Sequence, residues 1–413
     1  MNRREFCTGA VSVTAVAGCT VLKPTCSLSR ATFADSDFWW RTGGGVANRR
    51  SLSDPPPFDQ LVPAWTTQIE GTFQDAVRTE HAVVVLSSIE DSVVVTVHNT
   101  HDGETRLRTT ARKLADTEWS VSIHHVALLD EQLVIGWTFS EGGPPTTSVW
   151  SGLTVFDLSR GVIEHRARFD GQGIVSVRPD GFAVVTNASS GEIESRGIDA
   201  TTGETCWTTA PCGLFSLDSP EACDDVVGVH RPVFGDDSCH IPIETRDAWY
   251  DLQIDFEDGE LLGSTRVTPR PHRGVSATDE SLVFSATRPS GPTIRRTRAD
   301  QARAIYARTD TWVTEWAIGD EHVFVDDDGI ACHNLSTLER QWREPGMVAP
   351  IAVPGGVVCA APTDEQILSL EGDRTVVETH EVPGRPVDYR LDRGGLLTVL
   401  ESNGSQHLRL ERA

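Results

Sequence analysis

The stretch Gly197-Ile198-Asp199-Ala200-Thr201-Thr202-Gly203-Glu204-Thr205-Cys206-Trp207 constrains the fold of this chain more than any other. It reads as a strand, a tight turn closed by Thr-Gly, and a second strand that carries Trp four residues after the glycine. Weaker copies recur. Val93 to Asn99 leads through Asp102-Gly103 into Glu104 to Thr109, and Leu153 to Leu158 leads through Arg160-Gly161 into Ile163 to Phe169. Tyr250 to Phe256 leads through Asp258-Gly259 into Leu261 to Val267. Ala304 to Arg308 carries Tyr306 in the Trp position, Glu339 to Glu344 carries Trp342, and Gly372-Asp373 joins Gln366–Leu370 to Thr375–His380.

The turns fall at positions 103, 161, 203, 259, 302, 338 and 372, with spacings from 34 (338 to 372) to 58 residues (103 to 161). A period of about 40 to 45 residues with loop insertions predicts a radial array of small sheets. Residues 384 to 413 supply further strands around Asp392-Arg393-Gly394-Gly395 and Asn403-Gly404 but stop without an outer one. An orphan strand, Ala64-Trp65-Thr66-Thr67-Gln68-Ile69, opens the body and looks like Trp207-Thr208-Thr209. If the orphan supplies the missing strand, no sheet edge stays open. The expected fold is therefore all-β: an eight-bladed β-propeller of four-stranded blades over residues 61–413, its ring closed by the N-terminal strand near Trp65.

The charge balance bears on partners. Sixty acidic residues stand against 36 basic ones, a net charge of −24, and lysine occurs only at Lys23 and Lys113. An acidic, lysine-poor surface keeps a protein soluble in concentrated salt, and the composition reads as that of an extreme halophile. A nucleic-acid partner is excluded by the lack of a basic face to neutralise phosphates.

The N-terminus reads as an address. Arg3-Arg4 precede a short, mildly apolar run from Cys7 to Gly18, the pattern of a twin-arginine export signal. The run is too short to span a bilayer. It ends in Val16-Ala17-Gly18-Cys19, which resembles a lipoprotein processing box, so residues 1–18 are expected to be a signal peptide and Cys19 the lipid-bearing residue. A lipid anchor at the outer face of the cytoplasmic membrane follows. Residues 19–60, with Gly43-Gly44-Gly45 and Pro55-Pro56-Pro57, read as a flexible tether, in which Phe38-Trp39-Trp40 would dock on the body or lie at the membrane.

The Asp-Ala-Thr-Thr-Gly-x-x-x-Trp phrase at 199–207 resembles the blade motif of the pyrroloquinoline-quinone-like (PQQ-like) repeat β-propellers. The resemblance is good in one blade, fair near 326–342 and eroded elsewhere, over roughly residues 61–413. It implies that Trp65, Trp207, Trp342 and Tyr306 dock between neighbouring blades, and that Asp199, Thr202 and Gly203 shape the turn that ties one blade to the next. It implies little about function.

Chemical signatures are sparse. Quinoprotein dehydrogenases of this shape carry an adjacent cysteine pair, and no two cysteines here are adjacent; nor is there a Cys-x-x-Cys-His haem site. Pyrroloquinoline quinone and calcium are not expected as cofactors. Asp326-Asp327-Asp328-Gly329 lacks calcium-loop spacing and reads as a solvated turn. His124-His125 would point to opposite faces of a strand and reads as surface histidine. Among Cys206, Cys212, Cys223 and Cys239 no zinc spacing appears, and one or two disulfides stapling an inserted loop at 213–245 are expected instead. Cys332 and Cys359 read as bridged or as small buried residues. Acceptor sequons at Asn187, Asn334 and Asn403 fit a surface location.

The reading at this level is a membrane-anchored extracytoplasmic propeller that binds or scaffolds a protein partner or ligand, with long loops near 141–150 and 213–245 as the variable surface. The alternative is a quinone-dependent dehydrogenase or a polysaccharide-acting enzyme. No catalytic residue or metal ligand is assigned.

Overall fold

The computed structural model describes residues 52–413 apart from 130, 143–147, 179–181, 190–191, 201, 210–225, 235–237, 246–248, 256–257, 268–270, 279–280, 289–290, 299–304, 309–314 and 327. From 265 to 314, and at a few flanking positions, only the backbone is described. Arg3, Arg4, Cys19, Phe38-Trp39-Trp40, Cys212 and Cys223 lie outside the described residues. No described helix is long and apolar enough to cross a membrane.

The architecture is all-β. Its one described α-helix has five residues, Ala111–Ala115. The described strands form eight separate antiparallel sheets, seven of them built from consecutive strands alone. The first sheet comprises Thr72–Arg78, Ala82–Ile89, Ser92–Asn99 and Thr105–Thr110. The next six occupy 121–170, 172–209, 226–267, 271–308, 315–344 and 348–381. The eighth takes Arg385–Asp392, Gly395–Ser402 and Ser405–Arg412, and gains its fourth strand from Val62–Gln68, which pairs with Ser405–Arg412.

The first, second, third, seventh and eighth sheets are covered on both faces by their neighbours, so a second strand there reads as a continuous apolar run rather than an alternating one. Ala82-Val83-Val84-Val85-Leu86 and Gly356-Val357-Val358-Cys359-Ala360-Ala361 are buried throughout. The two-residue period still sorts the faces. In the second sheet Leu133, Ile135 and Trp137 pack toward the first sheet, while Val134, Leu153 and Val155 pack toward the third. Trp137 is fully buried, and its indole N–H donates to Thr154 Oγ1 at 2.9 Å, which in turn donates to Leu114 O at 2.8 Å. Apolar packing continues from the third sheet to the fourth, from the sixth to the seventh, from the seventh to the eighth, and from the eighth to the first.

The turns share one chemistry. At 103, 161, 203, 259 and 338 the backbone N–H donates four residues back, to Asn99, Asp157, Asp199, Asp255 and Asn334, at 2.7–3.0 Å. The starting Asp or Asn also accepts turn N–H groups on its side chain, as Asp157 Oδ1 does from Ser159 and Arg160, and Asn334 Oδ1 from Ser336 and Thr337. The fifth residue has positive φ, which suits glycine at four of the sites; the exception is Leu338, at φ 57°.

Three expectations are corrected. The 213–245 stretch is not one long inserted loop, because Val226–Val229, Val233–Phe234 and Ser238–Thr245 are strands of the fourth sheet, the only five-stranded one among the described residues. Cys239 lies on the last of these, buried with a free thiol, and is no bridging partner; Cys332 and Cys359 are likewise free and buried. Cys206 is disulfide-bonded. His124-His125 is not a surface pair: His125 is fully buried, and a bulge between Ile123 and His125 turns His124 inward.

The segment expected to be tether is docked from Leu52 onward. Leu52 N donates to Ala352 O at 2.8 Å, Phe58 N to Glu378 Oε2 at 3.2 Å, and Leu52, Phe58 and Leu61 are buried against the seventh and eighth sheets.

Candidate functional site: the inner-strand charge cluster and the sheet seams

The outermost strands carry one equivalent position, just after a β-bulge, and four of the rings that occupy it approach the turn of the next sheet. Trp65, Leu107, His165, Trp207, Gly263, Trp342 and Glu378 occupy it, opposite Leu410, Val97, Val155, Gly197, Gln253, Cys332 and Ser369. Tyr306 stands opposite Arg295 in the fifth sheet. Trp65 donates to Thr100 O at 2.9 Å and Trp342 donates to Gly372 O. A Cβ on Gly259 would stand 2.7 Å from the Trp207 indole, and one on Gly203 would stand 2.3 Å from the His165 ring. His165 was missed in the sequence because it is neither Trp nor Tyr; its signal is the spacing of four from Gly161.

Asp199 and Thr202 remain in their turn. Asp199 Oδ1 accepts from Thr202 N at 3.2 Å, and Thr202 Oγ1 accepts from Glu204 N at 3.3 Å. Asn334 holds its turn through Oδ1, Asn403 is exposed at φ 52° in a two-residue hairpin turn, and Asn187 lies on the strand Phe182–Ser189.

The charged residues that the structure brings together lie on the innermost strands. Bulges at Phe73/Asp75 and Pro386/Asp388 give Asp75 and Asp388 the same local geometry, in which each Oδ1 accepts the N–H of the following residue. Both carboxylates converge on Arg390. Its Nη2 donates to Asp75 at 2.8 Å, and its Nη1 donates to Asp388 and to Tyr389 O. Burial opposes the charge on Arg390, but the two carboxylates outweigh it and raise its pKa.

Arg231, between the strands Val226–Val229 and Val233–Phe234 of the fourth sheet, reaches the same region. It donates to His124 O at 2.6 Å, and Asp75 favours its charge against the effect of burial. His124 Nε2 accepts from Val175 N at 3.1 Å, which fixes that nitrogen as unprotonated. Burial and then the Arg231 charge push its pKa down to about 3. Inner strands of the first, second, third and eighth sheets, with Arg231 from the connection between Val226–Val229 and Val233–Phe234, thus approach one region. Neighbouring sheets stacked in a row could not bring the first and fourth together; sheets around a common axis do.

The chemistry of this cluster is balance. Two carboxylates face two guanidiniums, and the nearby imidazole is neutral and already accepting a hydrogen bond. Among the described residues no group of three or more His, Cys, Asp or Glu side chains is disposed to hold a metal ion.

No protein-family model matches the chain, and no curated protein matches it in sequence. Solved structures do match in shape. BamB from Moraxella catarrhalis is 14% identical, with 86% of this chain and 100% of that one covered at a TM-score of 0.51. The propeller of Dos1 is 10% identical, with 87% and 97% covered at a TM-score of 0.57. At these identities the likeness bears on the fold alone: the chain has a β-propeller fold, in keeping with its resemblance to PQQ-like repeat propellers.

Proposed function

We propose that this chain is an exported, lipid-anchored β-propeller of eight blades, closed into a ring by its N-terminal strand, that binds or scaffolds a protein partner at the outer face of the membrane. The single observation that carries the reading is the inner-strand cluster. Asp75, Asp388 and Arg390 pair across the first and eighth sheets and Asp75 also favours the charge of Arg231, so this cluster is occupied with its own balance and the faces and loops are left to recognise a partner. The seam between the eighth and first sheets supports closure, with Val83, Val85, Leu397, Val399, Leu408 and Leu410 in one buried cluster. The export signal, Cys19 and the acidic, lysine-poor composition support the location and a high-salt setting.

An enzyme built on the axis, quinone-dependent or polysaccharide-cleaving, needs a group free to move a proton, and the paired carboxylates of this cluster give that reading no support. Cross-linking in native membranes at high salt, followed by mass spectrometry, tests the proposal. One reproducible protein partner is expected, and release of the chain from membranes by Cys19→Ser. Attachment of lipid and glycan only would overturn the scaffold role.

A further inference from the structure

The chain from Leu52 to Phe58 crosses the seventh sheet from its innermost to its outermost strand. Leu52 is bonded to Ala352 on Val348–Val353, and Phe58 to Glu378 on Val376–Glu381. Pro55-Pro56-Pro57 lies between these two anchors. Pro57 has φ −59° and ψ 138°, the polyproline II conformation. Such a run is stiff, loses little entropy on being recognised, and is recognised by aromatic side chains.

The three prolines line a cavity of about 260 Å³ together with Val353, Leu370 and Val377 of the seventh sheet. That volume lies below the range of small-molecule pockets, about 300–1,000 Å³, and suits a single large side chain. Of its described lining residues only Glu371 and Glu378 are charged, and Glu378 accepts the Phe58 N–H. At the rim Val377 is 55% exposed and its neighbour Val376 52%.

We infer that this groove is the docking site of the chain's own Phe38-Trp39-Trp40, with one indole seated against the prolines and Val377. The proline wall calls for an aromatic ring, and these three residues are the aromatic cluster of the 51 that precede Leu52. The cluster is also tied to the groove. Leu52 bonds to Ala352, and the next residue, Val353, lines the cavity. Residues 41–51 include Gly43-Gly44-Gly45 and extend at most about 40 Å, which sets an effective concentration on the order of millimolar. Docking there continues the contact that Leu52, Phe58 and Leu61 already make with the seventh and eighth sheets. The attraction is apolar, so concentrated salt does not screen it. Neither a partner nor a lipid is required. In the lipid-anchored chain of the proposed function the contact would leave residues 20–37 between Cys19 and the body, and that consequence alone rests on the anchor.

Photo-cross-linking in the full chain tests the docking, with a benzophenone amino acid placed at position 39 or at position 40. Attachment within 353–358 or 369–378 of the same molecule is expected from at least one position, as peptide mass spectrometry would read. Trypsin cleavage after Arg41 gives a second readout. Val377→Asp, at an exposed site that folding tolerates, should speed it by about tenfold or more. Val162→Asp, at a valine exposed on the outermost strand of the second sheet, should leave it unchanged. Attachment to lipid, to a second copy or elsewhere on the body, or none from either position, overturns the inference, as does a cleavage rate indifferent to Val377→Asp. Absence of a protein partner in membranes would end the scaffold reading and leave this docking standing.

Discussion

The indole of Trp65, on the strand that completes the eighth sheet, rests against Gly103 in a turn of the first. A Cβ at 103 would stand 2.8 Å from the ring, and Gly103 has φ +75°. Gly103→Ala is expected to cost at least about 1 kcal/mol from the backbone alone, with the steric shift added. Trp65→Ala should cost about 3 kcal/mol. Guanidinium denaturation reads both, and an unchanged midpoint in either variant would remove the seam from the account of stability.

Arg78 and Asp392 form a pair at 3.0 Å with both side chains at most 3% exposed, at the ends of the inner strands of the first and eighth sheets. Arg78 also donates to Gly394 O at 3.0 Å. Removing one partner strands a buried charge, so Asp392→Asn should destabilise by about 3 kcal/mol or more. Replacing both, Arg78→Met with Asp392→Leu, should recover most of that loss. A double variant as unstable as the sum of the two single ones would mean that the two residues do not act as a pair.

Glu411, which is buried, and His240, which is partly buried, give stability opposite dependences on pH. Burial alone would raise the pKa of Glu411, but bonds from His380 at 2.7 Å and Arg409 at 2.9 Å leave it lowered. Its contribution is present above the ordinary carboxylate range and lost as pH falls through the lowered value. Burial would lower the pKa of His240, but Asp251 at 3.0 Å outweighs this and raises it. That contribution is complete below about pH 6.5 and lost as pH rises through the raised value. Denaturation midpoints against pH should therefore lose part of their acid limb in Glu411→Gln and part of their alkaline limb in His240→Gln; parallel curves for the variants and the parent would refute the assignment.

The thiols of Cys332 and Cys359 are both fully buried, and burial pushes each pKa up to about 12. Cys359 also lies 3.3 Å from Met347 Sδ. A thiol held protonated is a poor nucleophile. Iodoacetamide should leave both residues unmodified in the native protein and alkylate them only after denaturation, as peptide mass spectrometry would read. Rapid native labelling of either would contradict the burial.

Turn chemistry made much of the fold legible in sequence. An Asp or Asn followed four residues later by glycine is a local instruction, written within five residues, and it marked the turns at 103, 161, 203 and 259. The likeness of Trp65-Thr66-Thr67 to Trp207-Thr208-Thr209 was equally legible, since both strands fill the same kind of place. Leu338 was harder. It takes a left-handed conformation that its own propensity disfavours and is buried in the cluster with Leu335, so packing overrides the turn preference there.

The sequence by itself determined the kind of unit and its repetition, because strand alternation and turn residues act over a few positions. It also determined the charge balance that sets which partners are admissible. Only the tertiary structure decided what meets at the axis and the seams. Asp75 and Arg390 are 315 positions apart, and a bulge on each inner strand aims the carboxylates that grip the guanidinium. His165 stands over Gly203 because the site accepts a flat ring, whatever its identity. Long-range proximity leaves no periodic trace in a single chain, since each residue is chosen by neighbours that the fold alone supplies.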